Sequence, residues 1–175
     1  MNEHGLYIEI RPAEESELAI IGSTFSPNDM TNPEYRRYEV QKKGEGVYLA
    51  AWHNNTPIGA FLVRWSGPND APVTRFVEIT RSAYLEGGLT LAEYQRKGVA
   101  TAIIQEAERL AREKGCTHIG LAVGSTDNPE ARRLYEKLGY VYWRHGEFTV
   151  SWEFIDGNGN KRIDSEVVIY MQKIL

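Results

Sequence analysis

Tyr94-Gln95-Arg96-Lys97-Gly98-Val99-Ala100-Thr101 runs a short basic turn into an apolar helix, and its reading decides the fold. Behind Gly98, the residues Val99, Ile103, Ala107 and Leu110 recur at helical spacing. That pattern buries one face and leaves Glu106, Glu108, Arg109 and Arg112 on or near the other, with Gly115 as the stop. The first N–H groups of a helix have no intrahelical acceptor and therefore point outward as donors to an anion. A glycine at 98 lets a phosphate approach the backbone closely, and Arg96 and Lys97 add positive charge beside it. A pyrophosphate fits such a turn, although a basic pair before a glycine also makes an ordinary solvated cap.

A second segment follows: Asn128-Pro129-Glu130-Ala131-Arg132-Arg133-Leu134-Tyr135-Glu136-Lys137-Leu138-Gly139-Tyr140. Asn128 can accept from first-turn donors, and proline suits the first helical position because its torsion is preset and it has no N–H to satisfy. Gly139 marks the stop, and Ala131, Leu134, Tyr135 and Leu138 form one stripe. By itself the stripe makes Tyr135 a core tyrosine whose hydroxyl reaches an edge.

Strand-like residues from Ala83 to Leu91 precede the basic turn, and a strand from Thr117 to Val123 separates the two helices. In this order the parts resemble the GNAT superfamily of acyl-CoA-dependent N-acyltransferases. The family turn reads Gln or Arg, two residues, Gly, one residue, Gly or Ala, matched here by Gln95, Arg96, Lys97, Gly98, Val99 and Ala100. The family's later helix carries Asn, a Tyr seven residues on and a Leu-Gly-aromatic ending, matched by Asn128, Tyr135 and Leu138-Gly139-Tyr140.

The resemblance implies an α/β fold: a mixed, mostly antiparallel central sheet of about six to seven strands flanked by about four helices, as one domain over residues 1–175. The parallel element is the pair of strands joined by the Gly98 helix. It further implies acetyl-CoA as acyl donor, transfer to a primary amine of a small molecule or peptide by direct attack on the thioester, and no metal. On the family pattern Gln95, Arg96, Lys97, Gly98, Val99, Ala100 and Thr101 hold the pyrophosphate, Leu91 lies beside the pantetheine arm, and Asn128 and Tyr135 serve the coenzyme from the next helix. Tyr135 is the candidate acid for the departing thiolate and Glu86 the candidate base, with Glu78 in reserve. The family places a proline shortly before the acidic-aromatic pair ahead of the turn, and Leu89-Thr90-Leu91-Ala92-Glu93-Tyr94 lacks it. A missing residue there would slip the strand register by one and turn Glu86 to the other face, unless Gly87-Gly88 absorbs the slip as a bulge.

Composition agrees with one compact domain. A chain of 175 residues buries roughly 70% of its unfolded surface, enough for a full core without staples. The single cysteine, Cys116, excludes an internal disulfide and reads as a small buried filler, and His4, His53, His118 and His145 are scattered without ligand spacing. Met1-Asn2-Glu3-His4 has neither a basic start nor an apolar run, no segment approaches the roughly 20 apolar residues of a membrane span, and the expected compartment is the cytoplasm. A formal charge of −4 argues against nucleic acid as a partner and suits a cationic amine. Two other classes stay open: a regulatory module that binds acyl-CoA without turnover, and a toxin acting on charged transfer RNA, which the acidic composition disfavours. Homodimer formation through the C-terminal strands is left open.

Elsewhere, Leu6 to Arg11 alternates like a first strand, and Glu14-Glu15-Ser16-Glu17 opens a short helix. Asn32-Pro33-Glu34 starts a second helix running to Gly44. Val47 to Trp52 and Ile58 to Trp65 read as a hairpin, and Phe148 to Ile155 with Ile163 to Met171 as a closing one. The loop between the last two alternates Asp156, Asn158, Asn160 and Asp164. It puts Lys161 and Val167 where a calcium-binding loop needs glycine and glutamate, so it reads as a turn.

Overall fold

The protein is described by a computed structural model over residues 5 to 175, and the Met1-to-His4 stretch that argues against a secretory signal lies outside the described residues. Strands β1 (Glu9–Pro12), β2 (Gly46–His53), β3 (Thr56–Arg64), β4 (Ser82–Thr90), β5 (His118–Gly124), β6 (Val141–Ile155) and β7 (Lys161–Ile174) form one sheet in the order β1-β2-β3-β4-β5-β7-β6. Among the described residues only β4 and β5 pair in parallel. The helix α4 (Val99–Glu113) makes the crossover between them, as a parallel pair requires. Helices α1 (Leu18–Phe25), α2 (Pro33–Lys42), α3 (Ala71–Thr74) and α5 (Pro129–Lys137) complete the layers. The expected α/β architecture, with its mostly antiparallel sheet, is the one observed.

The two sheet faces carry different cores. Leu49, Phe61, Val63 and Leu85 pack under Val99, Ile103 and Ala107 of α4, while Tyr48, Ala50 and Leu62 pack under Leu18, Ile21 and Val40 of α1 and α2. Strand alternation produces this split, and it explains why β2 and β3 are apolar at nearly every position: both of their faces are covered. The β2–β3 turn is closed by Asn54 and Asn55 at φ 47° and 62°, the positive angles of a two-residue hairpin turn.

Three local expectations need correction. The first strand starts at Glu9, not Leu6, because β2 ends at His53 and offers no partner further out; the Tyr7 carbonyl instead lies 2.8 Å from the His53 ring nitrogen Nδ1. Glu108 is buried rather than outward, since Lys173 of β7 donates to both its carboxylate oxygens at 2.9 and 2.8 Å. The closing strands are longer than expected because β6 continues through an outward bulge, with Tyr142 opposite Met171 and Glu147 opposite Ile169. In the final turn Asp156 accepts from the amides of Asn160 and Asn158 and from the Arg162 guanidinium, and these donors hold its carboxyl at about 2. Its oxygens serve the turn.

Candidate active site

The central feature is where two strands part. β4 pairs with β5 only from Ser82 opposite His118 to Leu85 opposite Leu121, yet β4 runs on to Thr90 and β5 to Gly124. Past that point β4 stays with β3 as far as Thr90 opposite Gly59, and β5 stays with β7 as far as Gly124 opposite Val168. The strands diverge, and the backbone edges of residues 86–90 and 122–124 face a gap. An extended, amide-rich ligand can pair with such edges as an added strand would.

At the α4 end of this gap sits the basic turn. Leu91 donates its N–H to the Ile58 carbonyl at 3.0 Å, which fixes the chain as it leaves β4. Backbone φ then alternates in sign: Gln95 at −64°, Arg96 at 59°, Lys97 negative and Gly98 at 81°. Gln95 is extended with ψ 149°, so the change of sign makes a tight turn that delivers the chain to the start of α4. Gly98 is the N-cap of α4, so the N–H groups of Val99, Ala100 and Thr101 have no carbonyl behind them, the first intrahelical bond being Ala102 to Gly98 at 3.0 Å. Gln95, Arg96 and Lys97 are exposed, Val99 is buried as the anchor, and Lys97 rests 5.6 Å from the Tyr94 ring centre.

Tyr135 of α5 packs on this same face, edge-on to Tyr140 with ring centres 5.9 Å apart. Burial pushes its phenol up to about 12, so the hydroxyl keeps its proton throughout the neutral range. Asn128 caps α5 as its sequence predicts, its side-chain oxygen accepting from the Ala131 N–H at 3.2 Å, and it is exposed. The cap occupies the oxygen that was also a candidate for the coenzyme.

Glu86 lies on the opposite face. It stands across from Leu62, whose side chain enters the α1–α2 core, and its Oε2 accepts from Arg64 Nε at 2.8 Å. Between Leu62–Glu86 and Ala60–Leu89 the β4 strand carries one residue more than β3, so Gly87-Gly88 does form the bulge. Gly87 sits at φ 62°, and a Cβ on it would meet Arg37 Nη2 of α2 at 2.8 Å; a Cβ on Gly88 would overlap the Phe61 ring on the other face. Both glycines are required, one for its torsion and one for close packing. Glu78, the reserve base, is exposed in the loop before Ser82 and bonds Thr80, at the end of β4 away from the gap.

Further groups on this face escape a reading of the sequence. The carboxylates of Asp127 and Glu166 both crowd the space a side chain at Gly124 would fill, and burial first, then Asp127 and Asp164, raises the Glu166 carboxyl. A groove of about 360 Å³ between the α1–α2 loop and the β6–β7 hairpin is lined by Phe25, Asp29, Trp152, Phe154 and Asp164 among others, with no Lys or Arg. Trp52 and Trp143 are buried, whereas Trp152 is exposed in this groove. These contacts join residues far apart in the chain and leave no local signal in it.

Among the described residues no three His, Cys, Asp or Glu side chains gather to hold a metal ion, and no helix is long and apolar enough to cross a membrane.

Comparison with known proteins gives a consistent result. The family profile described as Acetyltransferase (GNAT) family matches residues 15–140. An aminoglycoside N(6')-acetyltransferase type 1 from Acinetobacter baumannii is 34% identical over 58 residues, which is 33% of this chain and 39% of that protein. The chain spans 39 to 58% of the length of the curated relatives it matches. Among solved structures, an N-acetyltransferase from Staphylococcus aureus Mu50 superposes with a TM-score of 0.68 at 14% identity, covering 96% of this chain and 98% of that one. The PaiA N-acetyltransferase from Thermoplasma acidophilum, in complex with coenzyme A, gives 0.61 at 17% identity, covering 97% and 100%.

Proposed function

The chain belongs to the GNAT acetyltransferase family, and from that premise we propose that it transfers an acetyl group from acetyl-CoA to a primary amine. One observation carries the reading: the β4–β5 gap opens beside a turn whose N–H groups converge at the start of α4. The gap suits an amide-bearing arm and the turn suits a pyrophosphate, and coenzyme A has both in that order. The structural relative from Thermoplasma acidophilum holds coenzyme A.

Acetyl-CoA supplies the activated acyl group as a thioester. Gln95 through Thr101 bind the pyrophosphate through their backbone, with Arg96 adding charge, and Leu91 flanks the arm. The amine nitrogen forms a bond to the acyl carbon as the carbon–sulfur bond breaks. Glu86 accepts the proton lost by the incoming ammonium, directly or through water, Tyr135 gives a proton to the departing thiolate, and the second proton shed by the nitrogen as the amide forms restores the Tyr135 hydroxyl through solvent. These two groups lie on opposite faces of the sheet. The acceptor therefore approaches from the α2 face and the thiol leaves toward α4. Base and acid do not compete for one place.

The groove beside Trp152, with Asp29 and Asp164 and without basic residues, supports an amine that arrives as a cation, borne by a small molecule or a peptide. A panel of primary amines incubated with protein and acetyl-CoA tests the reading: free thiol should appear only with an accepted amine. Saturable acetyl-CoA binding without amine-dependent release across the panel would favour the regulatory module instead.

A further inference from the structure

Helix α2 carries a largely buried charge pair, Glu34 with Arg37. Glu34 is 1% exposed, and its Oε1 accepts from Ser26 Oγ at 3.0 Å and from Arg37 Nη1 at 3.4 Å. A carboxylate this buried is tolerated only with a partner, so Glu34 holds the Arg37 guanidinium in place. The remaining side of that guanidinium lies over strand β4. Measured from the position a Cβ would take on Gly87, Nη2 is at 2.8 Å and both Cζ and Nε are at 3.3 Å. Three atoms at nearly equal range describe a flat group laid over the glycine. On its other side the Arg37 guanidinium is 5.9 Å from the centre of the buried Tyr48 ring.

Gly87 is the residue that makes the bulge, and the bulge is where β4 parts from β5: pairing ends at Leu85 and the extra residue follows Glu86. From below, the Phe61 ring closes against Gly88. The bulge is thus clamped from both faces of the sheet, by an aromatic ring on the α4 side and by a guanidinium on the α2 side.

We infer that Arg37, anchored by buried Glu34, is a positioning residue: by covering Gly87 it fixes the bulge and so sets the course of the β4 edge that faces the gap. The inference rests on the acetyl-CoA reading for its functional consequence, since that edge is the one proposed to pair with the donor. The consequence is specific. Arg37 lies on the face away from α4 and the phosphate turn, yet changing it alters donor affinity. A planar guanidinium is required for this cover, and an ammonium on a flexible stem does not reproduce it.

The test is a double-mutant cycle. Because Arg37→Met alone strands a buried carboxylate, the charge pair is removed together as Glu34→Gln with Arg37→Met, and combined with Gly87→Ala. Dissociation constants for acetyl-CoA and melting temperatures are measured for the four proteins. Gly87→Ala both strains the backbone and displaces Arg37, so the two changes overlap: the combined loss of affinity should fall short of the product of the separate losses by about fivefold or more. Arg37→Lys should not restore affinity. Losses that multiply, affinity that stays unchanged while only melting temperature moves, or full rescue by Lys would each overturn the inference. Amide exchange of Gly88 and Leu89 in the unliganded protein gives a second readout, expected to quicken when the charge pair is removed. Unchanged exchange would overturn the positioning role even if the wild-type protein failed to bind acetyl-CoA, a failure that would itself count against the proposed function alone.

Discussion

The two faces of the β4–β5 gap are built from different materials. On the α4 face the proposed anion site is backbone: φ of 59° at Arg96 and 81° at Gly98, helix N–H groups without partners, and Val99 buried as an anchor. On the α2 face the chemistry is side chain against side chain, with Arg64 on Glu86, Arg37 on Glu34, and Asp127 beside Glu166. A backbone site depends on torsions, so one wrong residue removes it; a side-chain site depends on pairings and can be altered by degrees. The first arrangement suits a ligand with an invariant phosphate end. The second suits an acceptor whose identity is set by a particular chain.

The contrast is sharpest in a substitution at the turn. Gly98→Trp adds a bulky side chain where φ is 81° and fills the approach to the N–H groups, so acetyl-CoA binding by calorimetry should vanish while far-ultraviolet dichroism stays folded. Retained affinity would break the account of the backbone face. Next in size is Tyr135→Phe, which should lower kcat by ~10² to 10⁴ with little change in acetyl-CoA affinity. Because burial holds the phenol at about 12, its acid form is lost only as pH rises through that value, and kcat in the wild type should not fall on Tyr135's account at neutral or mildly alkaline pH. Equal kinetics in the variant would remove the acid role.

Glu86→Gln probes the other face. A loss of ~10² in turnover is expected, with donor binding intact. Unchanged turnover would leave Glu86 as the ion-pair partner of Arg64 only. The smallest effect is at Asn128. Asn128→Ala removes the bond to the Ala131 N–H and should cost about 1 kcal/mol of stability, read from denaturant midpoints. A fall in acetyl-CoA affinity exceeding the fall in stability would show that Asn128 serves the ligand more than the helix.

The same contrast governs what the sequence could disclose. Gly98 and Asn128-Pro129 were legible because special torsions and caps restrict residue choice over a few adjacent positions, and those restrictions survive in a single chain, whereas nothing in the sequence marked the positive φ of Arg96. The parallel strand pair followed from the α4 crossover, and the double glycine announced its bulge because no other residue pair meets Arg37 on one face and Phe61 on the other. The direction of Glu86 stayed open until the bulge was seen, since one residue of slip reverses a strand's faces. Arg64, Asp127 and Glu166 were not legible at all: their partners lie 22 residues away for Arg64 and across different elements for Asp127 and Glu166, while Arg37 pairs locally with Glu34 but meets Gly87 on another strand. Glu108 misled for a similar reason, its partner Lys173 being 65 residues distant.

The central claim is that the gap and its turn form an acyl-CoA site, and titration of the purified protein with acetyl-CoA by calorimetry tests it most directly. The account predicts saturable binding of one acetyl-CoA per chain, abolished by Gly98→Trp. Absence of heat and of saturation in the wild-type protein would contradict it.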